Sequence, residues 1–298
     1  MFVARDKIEI RADRDACERC GACEAVCPSG VFSWRDDGVL DTRHPGRCIG
    51  CGHCVAACPH GALVHSELPR ERFEPLGGDA PVEAAVVRRL LRERRSGRRF
   101  AEEELSREKI ASFFAEATHA PTSTNSQNVR FLVFAGRERV RRLTELTCGY
   151  YLKLRRQLEN PFVRLAIAAT VGRKTVAAYR ARMPAIAEMF ERTLAGEDRL
   201  FYGAPAVVVL FASGLRHLAA ASCNLAAMEL LLAAPSVGLG ACFNGYALTA
   251  LVRDRRAREA AGISRGYTPG AVIAFGRSAD RFYAVPPRNE RRVIWFDE

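Results

Sequence analysis

Eight of the 11 cysteines in this chain of 298 residues lie between Cys17 and Cys58, and they run through one pattern twice. Cys17-Glu-Arg-Cys20-Gly-Ala-Cys23-Glu-Ala-Val-Cys27-Pro28 recurs 31 residues later as Cys48-Ile-Gly-Cys51-Gly-His-Cys54-Val-Ala-Ala-Cys58-Pro59. The tails match as well, Ser29-Gly30-Val31 against His60-Gly61-Ala62. A repeat of this kind implies two copies of one small unit.

The opening residues, MFVARDKIEI, hold no apolar run of the length an export signal needs, so the expectation is a cytoplasmic chain. In a reducing compartment clustered cysteines are metal ligands rather than disulfides. A C-x2-C-x2-C-x3-C-P run wraps a cubane iron–sulfur cluster with its first three thiolates, while the fourth ligates the other cluster of the pair. On that rule Cys17, Cys20, Cys23 and Cys58 form one set, and Cys48, Cys51, Cys54 and Cys27 the other. Soft thiolates in fours exclude calcium and magnesium and leave iron–sulfur or zinc, a pair of zinc sites being the alternative. The small residues Gly21, Ala22, Gly50 and Gly52 suit a backbone that bends round a cluster and aims its amides at sulfur. Over residues 8–66 the chain resembles bacterial-type ferredoxins with two 4Fe–4S clusters, which implies a small ferredoxin-like module that passes single electrons. His53 and His60 are read as incidental loop residues, with tuning of a cluster through hydrogen bonds as the alternative, and Cys148 and Cys223 as small buried hydrophobes.

Composition supports an ordinary folded protein, with 48% hydrophobic and 27% charged residues. The net charge of +11 invites a nucleic-acid reading, but it is unevenly placed. Residues 1–68 hold 8 Lys+Arg against 10 Asp+Glu, and residues 69–298 hold 37 against 24. No zinc-finger, RNP or basic-arm pattern accompanies the charge, so no nucleic-acid partner is expected. The most apolar stretch, Leu218 to Pro235, carries Asn224 and Glu229 and falls short of a clean membrane span. Pro69, Pro75, Gly77, Gly78 and Pro81 mark residues 69–81 as a linker, dividing the chain into an N-terminal domain of residues 1–68 and a second of residues 82–298.

The second domain mixes helix and strand patterns. Val82 to Arg95 has the apolar spacing of an amphipathic helix, and Ser106 is a good N-cap for a helix over Arg107 to Thr118. Val129–Ala135, Ala206–Ala212 and Ala271–Phe275 read as buried strands, and Leu218–Ala234, apolar nearly all round, as a central buried helix. The charged stretch from Leu152 to Leu200 looks helical and carries no functional signal.

Arg94, Ser96 and Arg98, at spacing two in a turn, can converge two guanidiniums and a hydroxyl on a phosphate; a solvated basic helix end is the plainer alternative. The loop His119-Ala-Pro-Thr122-Ser123-Thr-Asn125-Ser-Gln127-Asn128 is dense in amides and hydroxyls of the kind that bind a heteroaromatic edge. Tyr202-Gly-Ala-Pro205 opens a strand, and Gly238-Leu-Gly240-Ala241-Cys242 follows the central helix, where glycine permits close approach of backbone to a flat ligand. These motifs occur in the order found in the nitroreductase superfamily of FMN enzymes, which residues 82–298 resemble.

The resemblance implies an α+β fold, a central sheet flanked by helices, in an intertwined homodimer with two FMN sites at its interface. By position, Arg94, Ser96, Arg98 and Arg288 would bind the FMN phosphate and ribityl chain. Thr122, Ser123, Asn125 and Gln127 would lie near the flavin, partly across the dimer, and Gly240, Ala241 and Cys242 would present amides to the ring edge. A last strand, Val293–Phe296, would extend into the partner's sheet, with pairing inside one chain as the alternative. Together the two resemblances imply an iron–sulfur flavoprotein oxidoreductase that passes electrons from its clusters, fed by an external ferredoxin or other low-potential donor, through FMN to a nitroaromatic, quinone or similar small conjugated acceptor. An NAD(P)H-dependent FMN reductase using the clusters as exit or storage, or a non-catalytic electron-transfer or redox-sensing protein, are the alternatives. No protein side chain is expected to act as a general acid.

Overall fold

The computed structural model describes residues 8–78 and 81–296. The start of the chain, read as lacking an export signal, falls partly outside those residues, as do Asp79 and Ala80 of the expected linker. The chain divides into two compact units, Met1–Pro81 with Pro121–Asn128, and Val82–Ala120 with Val129–Glu298.

The first unit repeats itself in space as it does in sequence. Strand β1 (Ile10–Ala12) precedes helix α1 (Ala22–Ala25) and strand β2 (Phe32–Trp34); strand β3 (Leu40–Thr42) precedes helix α2 (His53–Ala56) and strand β4 (Leu63–His65). The ribbons cross between the copies, β1 pairing antiparallel with β4 and β2 with β3. Each short helix starts just after a left-handed glycine, Gly21 at φ 76° and Gly52 at φ 74°, a conformation open to glycine at little cost. One repeat earlier than the left-handed Gly50 stands Arg19, held at φ 56°. Ile8, Ile10, Val31, Phe32, Leu40, Val55 and Leu63 form a small apolar core that the thiols of Cys23 and Cys54 join.

The segment expected to be a linker starts out folded. Arg70–Arg72 makes one 3-10 turn, and Arg70 donates from Nη1 to the carbonyls of Val55 at 3.1 Å and Cys58 at 3.3 Å. The Phe73 ring fills the space a Cβ on Gly52 would enter.

The second unit is built on an antiparallel sheet in the order β5 (Arg130–Ala135), β6 (Ala206–Ser213), β8 (Tyr267–Gly276), β7 (Gly240–Phe243). Alternation along β6 explains its layers, since successive side chains point to opposite faces. Ala206, Val208, Leu210 and Ala212 pack with helix α8 (Arg216–Ala233) and with Ile110 and Phe113 of helix α4 (Arg107–Ala115). Val207 and Val209 pack on the other face with helix α5 (Arg137–Glu159), helix α7 (Arg173–Leu194) and helix α9 (Gly245–Arg253). Helix α6 (Pro161–Val171) joins α5 to α7, and helix α10 (Arg255–Ala260) follows α9. The closest approach is at Gly270, where a Cβ would stand 2.4 Å from the Cβ of Cys223 on α8.

Several expectations need correction. The first helix of this unit, α3, is shorter than read, Ala84–Glu93, and none of its residues is buried. The helix from Arg107 ends at Ala115 and tightens into a 3-10 turn over Glu116–His119, although Ser106 does cap it, accepting from the Lys109 amide at 3.2 Å. Helix α8 buries one face only: Ala219, Cys223, Ala226 and Leu230 are inside, whereas Leu225 and Met228 are exposed. It is, with the turn that follows it, the one described helix long and apolar enough to cross a membrane, and its buried face lies on the sheet. Val293–Phe296 is no strand in the single chain; all four side chains are exposed.

Candidate functional site

Three places in the molecule gather chemistry-bearing groups, two in the first unit and one in the second.

Cys17, Cys20, Cys23 and Cys58 line one cavity, with Trp34 and His60 on its wall. Cys27, Cys48, Cys51 and Cys54 line another, with His53 and His65. The fourth thiol of each set comes from the other repeat because α1 and α2 sit side by side and the strand pairs cross. Each cavity receives a backbone donor to a cysteine sulfur, the Ala62 amide to Cys58 Sγ and the Gly50 amide to Cys48 Sγ, both at 3.3 Å. Burial pushes the Cys54 thiol up to about 11, with the neighbouring Cys48, Cys51 and Cys27 thiols adding to the rise; Cys23 is pushed up for the same reason, Cys58 and Cys17 contributing. Thiols that resist ionisation alone and crowd one another are stabilised as thiolates once they share a cationic metal core. Among the described residues no three His, Cys, Asp or Glu groups converge to hold a single ion. Four thiols ringed about a cavity fit the ligand number of a cubane cluster.

His65 went unread in the sequence, where His53 and His60 drew attention. It is 2% exposed, and its Nε2 stands 3.7 Å from Cys48 Sγ.

Segment 121–128 belongs to this first unit. Ser123–Asn125 makes a 3-10 turn, with Thr124, Asn125 and Gln127 all at positive φ. Thr122 Oγ1 accepts from the Gln127 amide at 2.9 Å, closing the turn on itself. Asn125 donates from Nδ2 to the carbonyls of Gly50 at 2.8 Å and Ile49 at 3.3 Å, so it ties down the backbone between two thiols of the second set.

In the second unit the turn after α3 docks on β7. Ser96 bridges to Ala241 in parallel register, and the Gly97 amide donates to the Ala241 carbonyl at 3.1 Å. Gly97 lies within van der Waals reach of Gly240. From the other side the Arg98 amide donates to Asp280 Oδ2 at 3.0 Å. The result brings Arg94, Ser96, Arg98, Gly240, Ala241 and Cys242 together. Burial pushes the Cys242 thiol up, while Arg98, a hydrogen bond from Ser96 and the charge of Arg94 pull it back. Neither guanidinium is ion-paired with a described carboxylate, and two uncompensated cations beside a hydroxyl suit a phosphate. Arg288, assigned to the same phosphate, lies exposed in the segment after β8.

Beside this turn opens a cleft of about 570 Å³ that Arg98 and Cys242 line. Tyr202, from the motif that opens β6, is another wall, and the rest were missed: Tyr151 from α5, Tyr179 and Arg182 from α7, and Tyr246 from α9. Arg98 sits over the Tyr202 ring at 5.9 Å, a residue itself held at φ 61°. Asp198 supports that turn, accepting the amides of Leu200, Phe201 and Gly203. Burial pushes the Tyr151 hydroxyl well above its usual range, so it stays protonated and donates to the Tyr246 carbonyl at 3.4 Å. An aromatic cleft of this size with cationic and hydroxyl groups at its edge suits a flat, electron-poor ligand.

Comparison with known proteins agrees with both units. Residues 91–277 match the nitroreductase family and residues 16–63 the 4Fe–4S dicluster domain. A nitroreductase with bound FMN from Bacteroides fragilis superposes with a TM-score of 0.52 at 16% identity, covering 73% of this chain and 100% of its own. One with bound FMN from Desulfitobacterium hafniense gives 0.51 at 20% identity, covering 72% and 100%. No curated protein matches. With its sheet order, its docked arginine turn and a family match over more than half its length, the chain belongs to the nitroreductase family and carries a 4Fe–4S dicluster domain ahead of that fold.

Proposed function

We propose that this protein is an FMN-dependent oxidoreductase fed by its own pair of 4Fe–4S clusters, which takes electrons from a low-potential donor such as reduced ferredoxin and delivers them to a small conjugated acceptor, a nitroaromatic or a quinone. The observation that carries the reading is the presence, in one chain, of two separate four-thiol cavities and an Arg94–Ser96–Arg98 cradle, with no described carboxylate ion-paired to either guanidinium, beside an aromatic cleft.

Cys17, Cys20, Cys23 and Cys58 would hold one cluster, and Cys48, Cys51, Cys54 and Cys27 the other. Arg94, Ser96 and Arg98 would hold the FMN phosphate, with Arg288 closing on it, and Gly240, Ala241 and Cys242 would run along the ring edge. Thr122, Ser123, Asn125 and Gln127 would lie near the flavin, partly across the dimer. FMN, when bound, supplies the exchange between single electrons and electron pairs. The chain's part is to fix the cofactor, to keep positive charge near it and to exclude water from the cleft. The functional division follows residues 1–68 and 82–298, with 69–81 between. Two copies pair as a homodimer, supported by the exposed Leu225 and Met228 of α8 and by the bare apolar side chains of 293–296. Eight clustered thiols read as metal ligands suit the reducing cytoplasm.

An anaerobic absorbance spectrum with cofactor extraction tests both halves together. About eight iron and eight sulfide per chain with one FMN is the expected result; zinc in place of iron, or no flavin, overturns it. Steady-state assays with reduced ferredoxin, NADH and NADPH then separate the donors. Turnover with NAD(P)H alone would reverse the proposed direction, and no turnover with any donor would leave an electron carrier.

A further inference from the structure

We infer that His65 makes the two cluster sites unequal, holding the site of Cys48, Cys51, Cys54 and Cys27 at the higher reduction potential, so that a single electron rests there. The inference rests on reading both thiol sets as 4Fe–4S sites.

His65 ends β4 and is 2% exposed on the wall of the second cavity. Its two ring nitrogens have different neighbours. The Glu67 amide donates to Nδ1 at 3.2 Å, and a nitrogen that accepts a hydrogen bond carries no proton. The ring proton is therefore on Nε2, 3.7 Å from Cys48 Sγ. When Cys48 is a thiolate, the only direction left for that contact is N–H to sulfur. A donor aimed at a ligand sulfur stabilises the more negative, reduced state of the cluster more than the oxidised one, which raises its potential.

The repeat supplies an internal control. Trp34, 31 residues before His65, ends β2 as His65 ends β4, and it lines the first cavity. Its Nε1–H donates to Glu24 Oε2 at 2.6 Å. At the first site the equivalent ring thus spends its donor on a carboxylate, and that carboxylate adds negative charge beside the cluster, which disfavours reduction. Backbone amides reach sulfur at both sites, from Ala62 to Cys58 and from Glu24 and Cys23 to Cys23 at the first, and from Gly50 to Cys48 and Val55 to Cys54 at the second, so the contrast between the sites lies in the side chains. Both side-chain differences act in the same direction, toward a second site that is easier to reduce.

The test is an EPR-monitored redox titration of the anaerobic holoprotein with dithionite, in which each cluster takes up one electron as dithionite is oxidised. Two separated one-electron waves are expected. His65→Phe should lower the upper wave by about tenfold in equilibrium constant, which is about 59 mV for one electron, and leave the lower wave in place. Glu24→Gln should raise the lower wave only. Coincident waves in the parent protein, or an unmoved upper wave in a fully loaded His65→Phe protein, would overturn the inference. If His65→Phe fails to assemble its second cluster, Glu24→Gln at the exposed position decides, and an unmoved lower wave overturns it. Metal analysis keeps this apart from the cluster reading. Zinc in the sites removes both, whereas a full iron complement with unmoved potentials removes only the role of His65.

Discussion

The side chain of Asn125 donates to the carbonyl oxygens of Gly50 and Ile49, the two residues between Cys48 and Cys51. A residue read from sequence as a flavin neighbour thus also anchors the loop that carries two thiols of the second set, and 121–128 packs as part of the first unit although it lies 40 residues beyond Pro81 in the chain.

Replacing Asn125 by Ala should free both carbonyls. Two such bonds are together worth about 1–3 kcal/mol, and the loss falls on the loop rather than on the global fold. The expected result is faster removal of iron from the second site by a chelator, with the first site unaffected, followed by EPR of the remaining cluster. Equal loss from both sites would assign Asn125 a general stabilising role instead.

Arg98→Ala should weaken FMN binding by roughly 10- to 100-fold, the scale of one lost charge-assisted hydrogen bond of about 1.5–3 kcal/mol. Cluster absorbance should not change. Fluorescence of released FMN on dilution gives the affinity, and parental affinity in the variant would remove Arg98 from the cradle. Arg288→Ala, measured in the same way, tests whether the exposed arginine closes on the phosphate.

Gly270→Ala should be one of the costlier single changes in the molecule. The new methyl would stand 2.4 Å from Cys223 Cβ and 3.1 Å from the backbone of Ala220, so α8 must shift off the sheet. Overpacking of this kind costs about 1–3 kcal/mol. A lowered Tm of the holoprotein checks it, and Cys223→Gly in the same background should recover part of the loss.

Alkaline pH should destabilise the fold well before arginine is touched. Burial pushes the thiols of Cys148 and Cys223 up to about 12, from an ordinary value of 9.0. Between those values the unfolded chain has lost these protons while the native chain still holds them, so stability is intact below pH 9 and falls from there toward pH 12. Denaturant midpoints across that range measure the slope. In the Cys148→Ala, Cys223→Ala double variant the slope should flatten, and the parental thiols should resist alkylation at pH 8.

How much of this was legible in the sequence depends on how local each feature is. Thiols that share a site are near neighbours in the chain apart from one, and the repeat itself says where that one comes from. The arginine turn and the Gly240–Cys242 strand are also short motifs, and their order was enough to pair them. His65 is different, because its role exists only once β4 has folded beside Cys48; the one trace in the sequence is the register of the repeat, which sets it opposite Trp34. Tyr151, Tyr179, Arg182 and Tyr246 come from three helices and share no motif, so a charged helical stretch hid half the cleft. Helix α8 shows a further limit: an apolar composition reports that a face is buried without saying that only one is, and Leu225 and Met228 stay outside.

Cys20 is the one exposed thiol of the eight. A cluster held there meets solvent at a corner, where electron tunnelling to a docked carrier would cross the least protein. The same corner would be open to dioxygen, so on the proposed reading the point of electron exchange and the weak point under air would coincide at one sulfur.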